Sequence, residues 1–222
     1  MLSVVLGGNR QPLRKVLCLG AHCDDIEIGC GGTILRLLEE NCDLEFYWLV
    51  FSSTPKRKRE AEKAAKLFLK SAGHKIAIKS FRDGYFPHEG AKIKDAFEAL
   101  KKTFSPDLIF THYRADLHQD HRLICELTWN TFRNHLILEY EIPKYDGDLG
   151  APNFFVSLRE PLCARKAEYI LAAFESQRNK HWLTEDTLRA ILRIRGVESN
   201  SPEKFAEAFY CRKLVLQSKG AL

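Results

Sequence analysis

Two segments of the chain concentrate the side chains that hydrolytic chemistry needs. The first is Ala21-His22-Cys23-Asp24-Asp25-Ile26-Glu27, and the second is Thr111-His112-Tyr113-Arg114-Ala115-Asp116-Leu117-His118-Gln119-Asp120-His121. His22 and Asp25 stand three residues apart on a turn entering a helix, so both can face one point. With His121 they give two imidazoles and a carboxylate around a divalent ion that keeps an open position for water. That donor set suits catalytic zinc, with iron(II) as the competitor. Asp24 cannot share its neighbour's direction and is free to act as general base. His118 can stand across the reacting carbon as general acid, and Asp120 is placed to orient an imidazole through its second ring nitrogen. Together these are the parts of a metal-assisted hydrolysis of an amide or ester. Taken singly, each histidine reads as a hydrogen-bonded structural residue, and the Asp-Asp pair as the cap of a helix starting near Ile28. Two such clusters at neighbouring strand ends are much harder to explain that way.

The elements that must position them follow from hydrophobic periodicity. Residues 15–20 (KVLCLG) read as a buried strand, followed by a helix carrying Ile34, Leu35, Leu37 and Leu38. Residues 44–51 form a second strand. Its helix presents Ala61, Ala64, Ala65, Phe68 and Leu69 on one face and stops at Gly73. A third strand at 76–80 leads to a helix with Ile93, Phe97, Leu100 and Phe104. A fourth at 107–111 leads to one through Leu123, Ile124, Leu127 and Phe132. This alternation predicts an α/β fold: a Rossmann-like, doubly wound, mainly parallel sheet with helices on both faces. In the order 3-2-1-4, strands one and four are neighbours at the switch in winding, where ligands bind outside the carboxyl ends. Both clusters fall there. Farther on, residues 136–141 and 154–158 read as strands around a Pro/Gly/Asp-rich loop. Helices are expected at 161–176, 184–195 and 202–209, with Thr184 and Ser201 as N-caps and Pro202 at the first helical position. No repeat or linker divides residues 1–222, which read as one domain.

Length and composition fit this reading. The chain has 222 residues, 45% hydrophobic and 28% charged, which excludes wholesale disorder. The longest apolar run, Phe46 to Phe51, is too short to span a bilayer of about 30 Å. The start, Met1-Leu2-Ser3-Val4-Val5-Leu6 followed by Gly7-Gly8-Asn9, is unlike an export signal. Seven cysteines with no Cys-x-x-Cys then point to reduced thiols and a cytoplasmic location. A net charge of +5 mildly favours an anionic, phosphorylated substrate and does not call for nucleic acid. The run Lys56-Arg57-Lys58-Arg59 reads as the solvated first turn of a helix. Arg57 within it, and Asp83-Gly84 after strand three, are the candidate substrate contacts. Their plainer readings are a surface helix residue and a turn. Gly29, Gly31 and Gly32 read as close helix–strand packing.

On these residues the chain resembles the LmbE/PIG-L family of metal-dependent N-acetyl-sugar deacetylases. The family's Ala-His-Pro-Asp-Asp-(x)-Glu and Gly-x-Gly-Gly-Thr elements are matched by residues 21–27 and 29–33. Its His-x-Asp-His element is matched by residues 118–121. Weaker similarity covers Arg57-x-x-Glu60-Ala61, Asp83-Gly84, Ser176-Gln177 and Ala206-Glu207-Ala208-Phe209. The resemblance implies His22, Asp25 and His121 as metal ligands, Asp24 as base, His118 as acid, and release of acetate from an N-acetylglucosamine-type substrate. Cys23 stands where the family has proline. The turn then loses a fixed φ, and the thiol stands where it could bind metal or be oxidised.

Three other functions stand as alternatives. A nucleotide-cofactor oxidoreductase is disfavoured: no G-x-G-x-x-G follows strand one, and no acid ends strand two. A binding protein that has lost turnover draws support only from Cys23. An amidase acting on another N-acyl compound or thiol conjugate is the nearest alternative. Residues 145–152 and 177–182 are expected to form the substrate rim. Their sequences do not read out the substrate, and a homo-oligomer is compatible with the chain.

Overall fold

The computed structural model describes residues 4–6, 12–70 and 72–215, and the structural statements concern these. Residues 1–3 and 7–9 of the stretch read as unlike an export signal lie outside them. Seven strands and six helices follow in the order β1 (Lys15–Gly20), α1 (Asp25–Glu40), β2 (Glu45–Val50), α2 (Pro55–Leu69), β3 (Gly73–Ile78), α3 (Gly90–Thr103), β4 (Leu108–His112), α4 (Gln119–Thr131), β5 (Leu136–Tyr140), β6 (Phe154–Leu158), α5 (Glu160–Ala173), α6 (Glu185–Glu198) and β7 (Phe205–Tyr210). The sheet order is β3-β2-β1-β4-β5-β7-β6. Strands β1 to β5 pair in parallel, and β7 runs antiparallel to both β5 and β6. Among the described residues, no helix is long and apolar enough to cross a membrane.

Side-chain alternation along the central strands builds two cores. Val16, Cys18, Phe46, Trp48, Val50, Leu108 and Phe110 face one way, against Ile26, Cys30 and Ile34 of α1 and Ala61, Ala65 and Phe68 of α2. Leu17, Leu19, Tyr47, Leu49 and Ile109 face the other way, against Ile93 and Phe97 of α3 and Ile124 of α4. The helices after β1 and β4 therefore cover opposite faces, and a crevice opens between the carboxyl ends of these neighbouring strands. A Cβ on Gly29 would meet the Tyr140 ring at 2.2 Å, and one on Gly31 the Phe68 ring at 2.6 Å. Gly29, with Gly32 against Leu158 of β6, lets α1 lie directly on the sheet as expected, whereas Gly31 packs against α2 rather than a strand.

One expected element is wrong. Residues 202–209, read as a helix from Pro202, instead form a turn and β7. Ser201 Oγ donates to the Phe205 carbonyl within that turn, and Asn200 and Lys204 take positive φ values of 49° and 68°. Ala and Glu give Phe205–Tyr210 a helical composition, but the gap between β5 and β6 needs a strand, and packing overrides propensity. Smaller differences concern ends. Helix α1 starts at Asp25 rather than near Ile28, and β3 covers Gly73–Ile78 rather than 76–80. The helix expected over 161–176 is α5 plus a separate short 3₁₀ turn at Glu175–Gln177.

Strand β7 carries a buried ion pair against α1 and α5. Glu207 Oε1 lies 2.6 Å from Lys166 Nζ of α5, and both side chains are nearly inaccessible. Glu207 also accepts the Gly32 and Thr33 N–H groups at 2.7 and 2.6 Å. Lys166 donates to the Ile28 carbonyl at 2.6 Å. Removing one partner would leave a buried charge uncompensated. Lys166→Met should lower the unfolding free energy by about 3–5 kcal/mol in a urea titration. Arg159→Ala, which opens the exposed Arg159–Glu39 pair, should cost under about 1 kcal/mol.

Candidate functional site

The loop leaving β1 is stitched at its first residue to the end of β4 and to the loop leaving β2. The Ala21 N–H donates to His112 Nε2 at 2.9 Å, and the Ser52 N–H donates to the Ala21 carbonyl at 2.8 Å. The turn then folds back on itself, with the His22 N–H donating to Asp25 Oδ2 at 2.6 Å. Asp24 occupies the N-cap position of α1, yet its side chain caps nothing. Neither carboxylate of the Asp-Asp pair is used as a helix cap.

His22, Asp25 and His121 come together at this crevice. His22 Nδ1 lies 3.1 Å from His121 Nε2, Asp25 Oδ2 lies 3.5 Å from His22 Nδ1, and Asp25 Oδ1 lies 3.6 Å from His121 Nε2. Tetrahedral nitrogen and oxygen ligands at about 2.0–2.1 Å from zinc stand roughly 3.3 Å apart, so these spacings fit a divalent cation. His118 adds a third imidazole, since His22, His118 and His121 offer ligand atoms within 4.8 Å of one another. Asp25, His112 and His121 form a second such group, wholly buried. A third, at the outer side of His22, joins His22, Asp83 and Asp120, so His121 and His22 each take part in two of the three groups.

The electrostatics separate the roles. Burial would raise the Asp25 carboxyl, but the imidazoles of His121 and His112 hold it well below the usual carboxylate range. Burial raises Asp24, with the Arg57 guanidinium pulling the other way. Adjacent carboxylates pushed apart in this manner are the mark of divided acid–base duties. Burial, helped by the charge of His112, lowers His121 to about 4. Its ring is therefore neutral, with Nδ1 donating to Asp116 Oδ2 at 2.9 Å and the Nε2 lone pair facing the cluster. Burial also works against charge on His22, but hydrogen bonds to Asp120, Asp25 and Asp83 outweigh it and raise this imidazole well above its ordinary value. His118 caps α4, its Nδ1 accepting the Asp120 N–H at 3.2 Å, which puts the proton of the neutral ring on Nε2.

Of the remaining expected residues, Asp120 lies with Oδ2 3.4 Å from His22 Nε2. It also accepts the Gly84 and Phe86 N–H groups at 2.7 and 3.1 Å, anchoring the segment after β3. Asp83 sits in the turn expected there, with Gly84 at φ 76°. It is 74% exposed, and its Oδ1 stands 3.0 Å from His22 Nε2. Arg57 is not a free surface residue: its Nη2 donates to Asp24 Oδ1 at 2.7 Å, while Lys56, Lys58 and Arg59 around it are solvated. Cys23 turns away from the cluster. Its buried thiol donates to the Ser52 carbonyl at 3.3 Å, and burial pushes it up to about 12. It is a thiol rather than a thiolate ligand.

A cavity of about 750 Å³ opens over His22, Asp24, Asp25, His118 and His121, with Tyr145, Lys180 and Trp182 among its outer walls. The two rim segments expected from sequence both reach it, the first through residues 145 and 146. Three contributors had received no role. Asp116 is the partner of His121, while Asp120 faces the outer nitrogen of His22. His112 lies flat against His121, with centroids 3.9 Å apart and planes at 18°. Lys144 reaches Asp116 from the loop after β5. Asp116 and His112 lie inside the second motif and were visible there, whereas nothing in the sequence around Lys144 marks it.

Comparison with known proteins agrees with this architecture. Residues 17–132 match the family described as PIG-L, GlcNAc-PI de-N-acetylase, a span that contains both motifs. The protein described as uncharacterized deacetylase YaiS, from Escherichia coli (strain K12), is 25% identical over 157 residues, covering 64% of this chain and 82% of that one. The fold is shared with the N,N'-diacetylchitobiose deacetylase from Pyrococcus horikoshii at a TM-score of 0.69 and 24% identity, over 89% of this chain and 83% of that one. It is equally shared with GalB, the 4-carboxy-2-hydroxymuconate hydratase of Pseudomonas putida KT2440, at 0.70 and 15% identity, over 93% and 99% of the two chains. At such identities these likenesses speak for the fold alone. With more than half of its length matched, including every residue of the central cluster, the chain belongs to the PIG-L family of GlcNAc-PI de-N-acetylase-like enzymes.

Proposed function

We propose that this protein is a zinc-dependent hydrolase that removes the N-acetyl group from an N-acetylglucosamine-type amino sugar or its conjugate. The observation that carries the reading is the convergence of His22, Asp25 and His121 on the floor of an open cavity. Beside them stands a second carboxylate, Asp24, held in a different electrostatic state. His22, Asp25 and His121 would hold the cation, and iron(II) would compete for the same donors. A divalent cation bound there supplies Lewis acidity toward the amide carbonyl and makes water a better nucleophile at neutral pH.

The remaining work falls to the side chains. Asp24 has one oxygen fixed by Arg57 and accepts the proton of the attacking water through the other. His118, a lining residue of the cavity, donates to the departing amine nitrogen as the C–N bond breaks. Asp120 and Asp83 hold His22 by its outer nitrogen, which keeps its inner nitrogen turned to the cation. In this reading Arg57 acts on substrate from its place beside Asp24, and Asp83 contacts it only from the rim. Tyr145 and Trp182 offer apolar faces of the kind on which sugar rings stack.

The deciding experiment is free-amine release from a panel of N-acetyl-hexosamine derivatives, with added Zn²⁺ and with chelator. Amine release that chelator abolishes is expected. Release only from other N-acyl compounds would transfer the assignment to a general amidase. Asp24→Asn and His118→Ala should each lower kcat by about 10²–10⁴-fold while retaining about one metal per chain. His121→Ala should lose the metal itself, read by elemental analysis after dialysis. Metal loss in His118→Ala would instead make His118 the third ligand. Cys23→Ser should leave metal content unchanged. The native protein should resist alkylation at Cys23 until it is unfolded, as followed by mass spectrometry.

A further inference from the structure

Resting on the metal reading above, we infer that Lys144 is a positioning residue that ties the substrate-facing loop after β5 to the ligand His121. Its ammonium group stands 3.0 Å from Asp116 Oδ2, the oxygen that also accepts the His121 Nδ1–H at 2.9 Å. The other oxygen of Asp116 accepts the His118 N–H at 2.8 Å. One buried carboxylate thereby sets two histidines of the second motif, His118 and His121, and Lys144 is the cation beside it. On its other side, Lys144 is hydrogen-bonded to Asp148 Oδ2, which accepts the Leu117 N–H at 2.7 Å. The Lys144 side chain is 11% exposed and lines the cavity next to Tyr145 and Asp146.

This geometry makes Lys144 the joint of a two-armed bracket. The Asp116 arm fixes the carboxylate that orients the His121 ring, a contact of the kind whose loss costs about 10–100-fold in metal affinity. The Asp148 arm fastens residues 144–148 onto the β4–α4 loop at Leu117. A flexible ammonium can serve both carboxylates at once through its three donors. A shift of the rim loop is thereby transmitted to a metal ligand without any contact between them.

The test uses Zn²⁺ competition against a chromophoric chelator on the purified full chain, with steady-state kinetics on whichever N-acetyl-hexosamine derivative proves active. Wild type must bind Zn²⁺ first. Its failure to do so would overturn the metal reading, and this inference with it. Given binding, Lys144→Met should weaken Zn²⁺ affinity by about 10–100-fold, with a folded apo protein by circular dichroism, and Lys144→Arg should restore most of it. If Lys144→Met does not fold, Lys144→Gln carries the same expectation. Asp148→Asn cuts only the loop arm and should raise KM several-fold while leaving Zn²⁺ affinity within about threefold of wild type. Wild-type Zn²⁺ affinity in a folded Lys144→Met overturns the inference while sparing the metal reading. An Arg variant as weak as Met overturns it as well.

Discussion

The structure depends on pairing charge where water is excluded. Carboxylates and imidazoles are packed together at the carboxyl ends of β1 and β4, where an unpaired charge is costly to bury. Asp25 lies among His22, His112 and His121. Asp116 answers His121 and Lys144, Asp120 answers His22, and Asp24 answers Arg57. The array is stable because each member is held by another. The same pairing fixes which ring nitrogen carries a proton and which carries a lone pair.

The fold supplies the rigidity behind that array. Helix α1 lies close to the sheet because Gly29 and Gly32 leave room for Tyr140 and Leu158, and close to α2 because Gly31 leaves room for Phe68. It is fastened at Ile28, Gly32 and Thr33 by the buried Lys166–Glu207 pair. A second buried pair, Arg195 with Glu141, also reaches the Gly150 carbonyl and steadies the rim loop from behind. Glu60 takes the backbone N–H and the hydroxyl of Ser176, which sets the other side of the rim. Loops that line the cavity are thus anchored by charges placed behind it.

A shared fold does not by itself select the reaction. A deacetylase and a hydratase both superimpose on this sheet. The crevice is a property of the doubly wound topology, whereas the reaction follows from the side chains placed in it. Here those side chains are a carboxylate kept ionised among imidazoles, a neighbour displaced toward protonation, and a neutral histidine whose free nitrogen faces the cluster.

The chain's hydrophobic rhythm was sufficient to determine the parallel half of the fold, because buried strands and amphipathic helices leave periods of different length in the sequence. It also brought His22, Asp24, Asp25, His118 and His121 to one crevice, since the ends of β1 and β4 are neighbours in any sheet of this winding. Only the tertiary structure could make a strand of Phe205–Tyr210, whose Ala and Glu favour a helix until an open edge beside β5 and a buried lysine claim them. Only the tertiary structure could turn Cys23 inward, draw Arg57 from a solvated charge run onto Asp24, and choose Asp116 for His121 and Asp120 for His22. Lys144 was illegible for the same reason. Its partners are set by where two loops meet in space, and a pairing across loops has no period or motif to betray it.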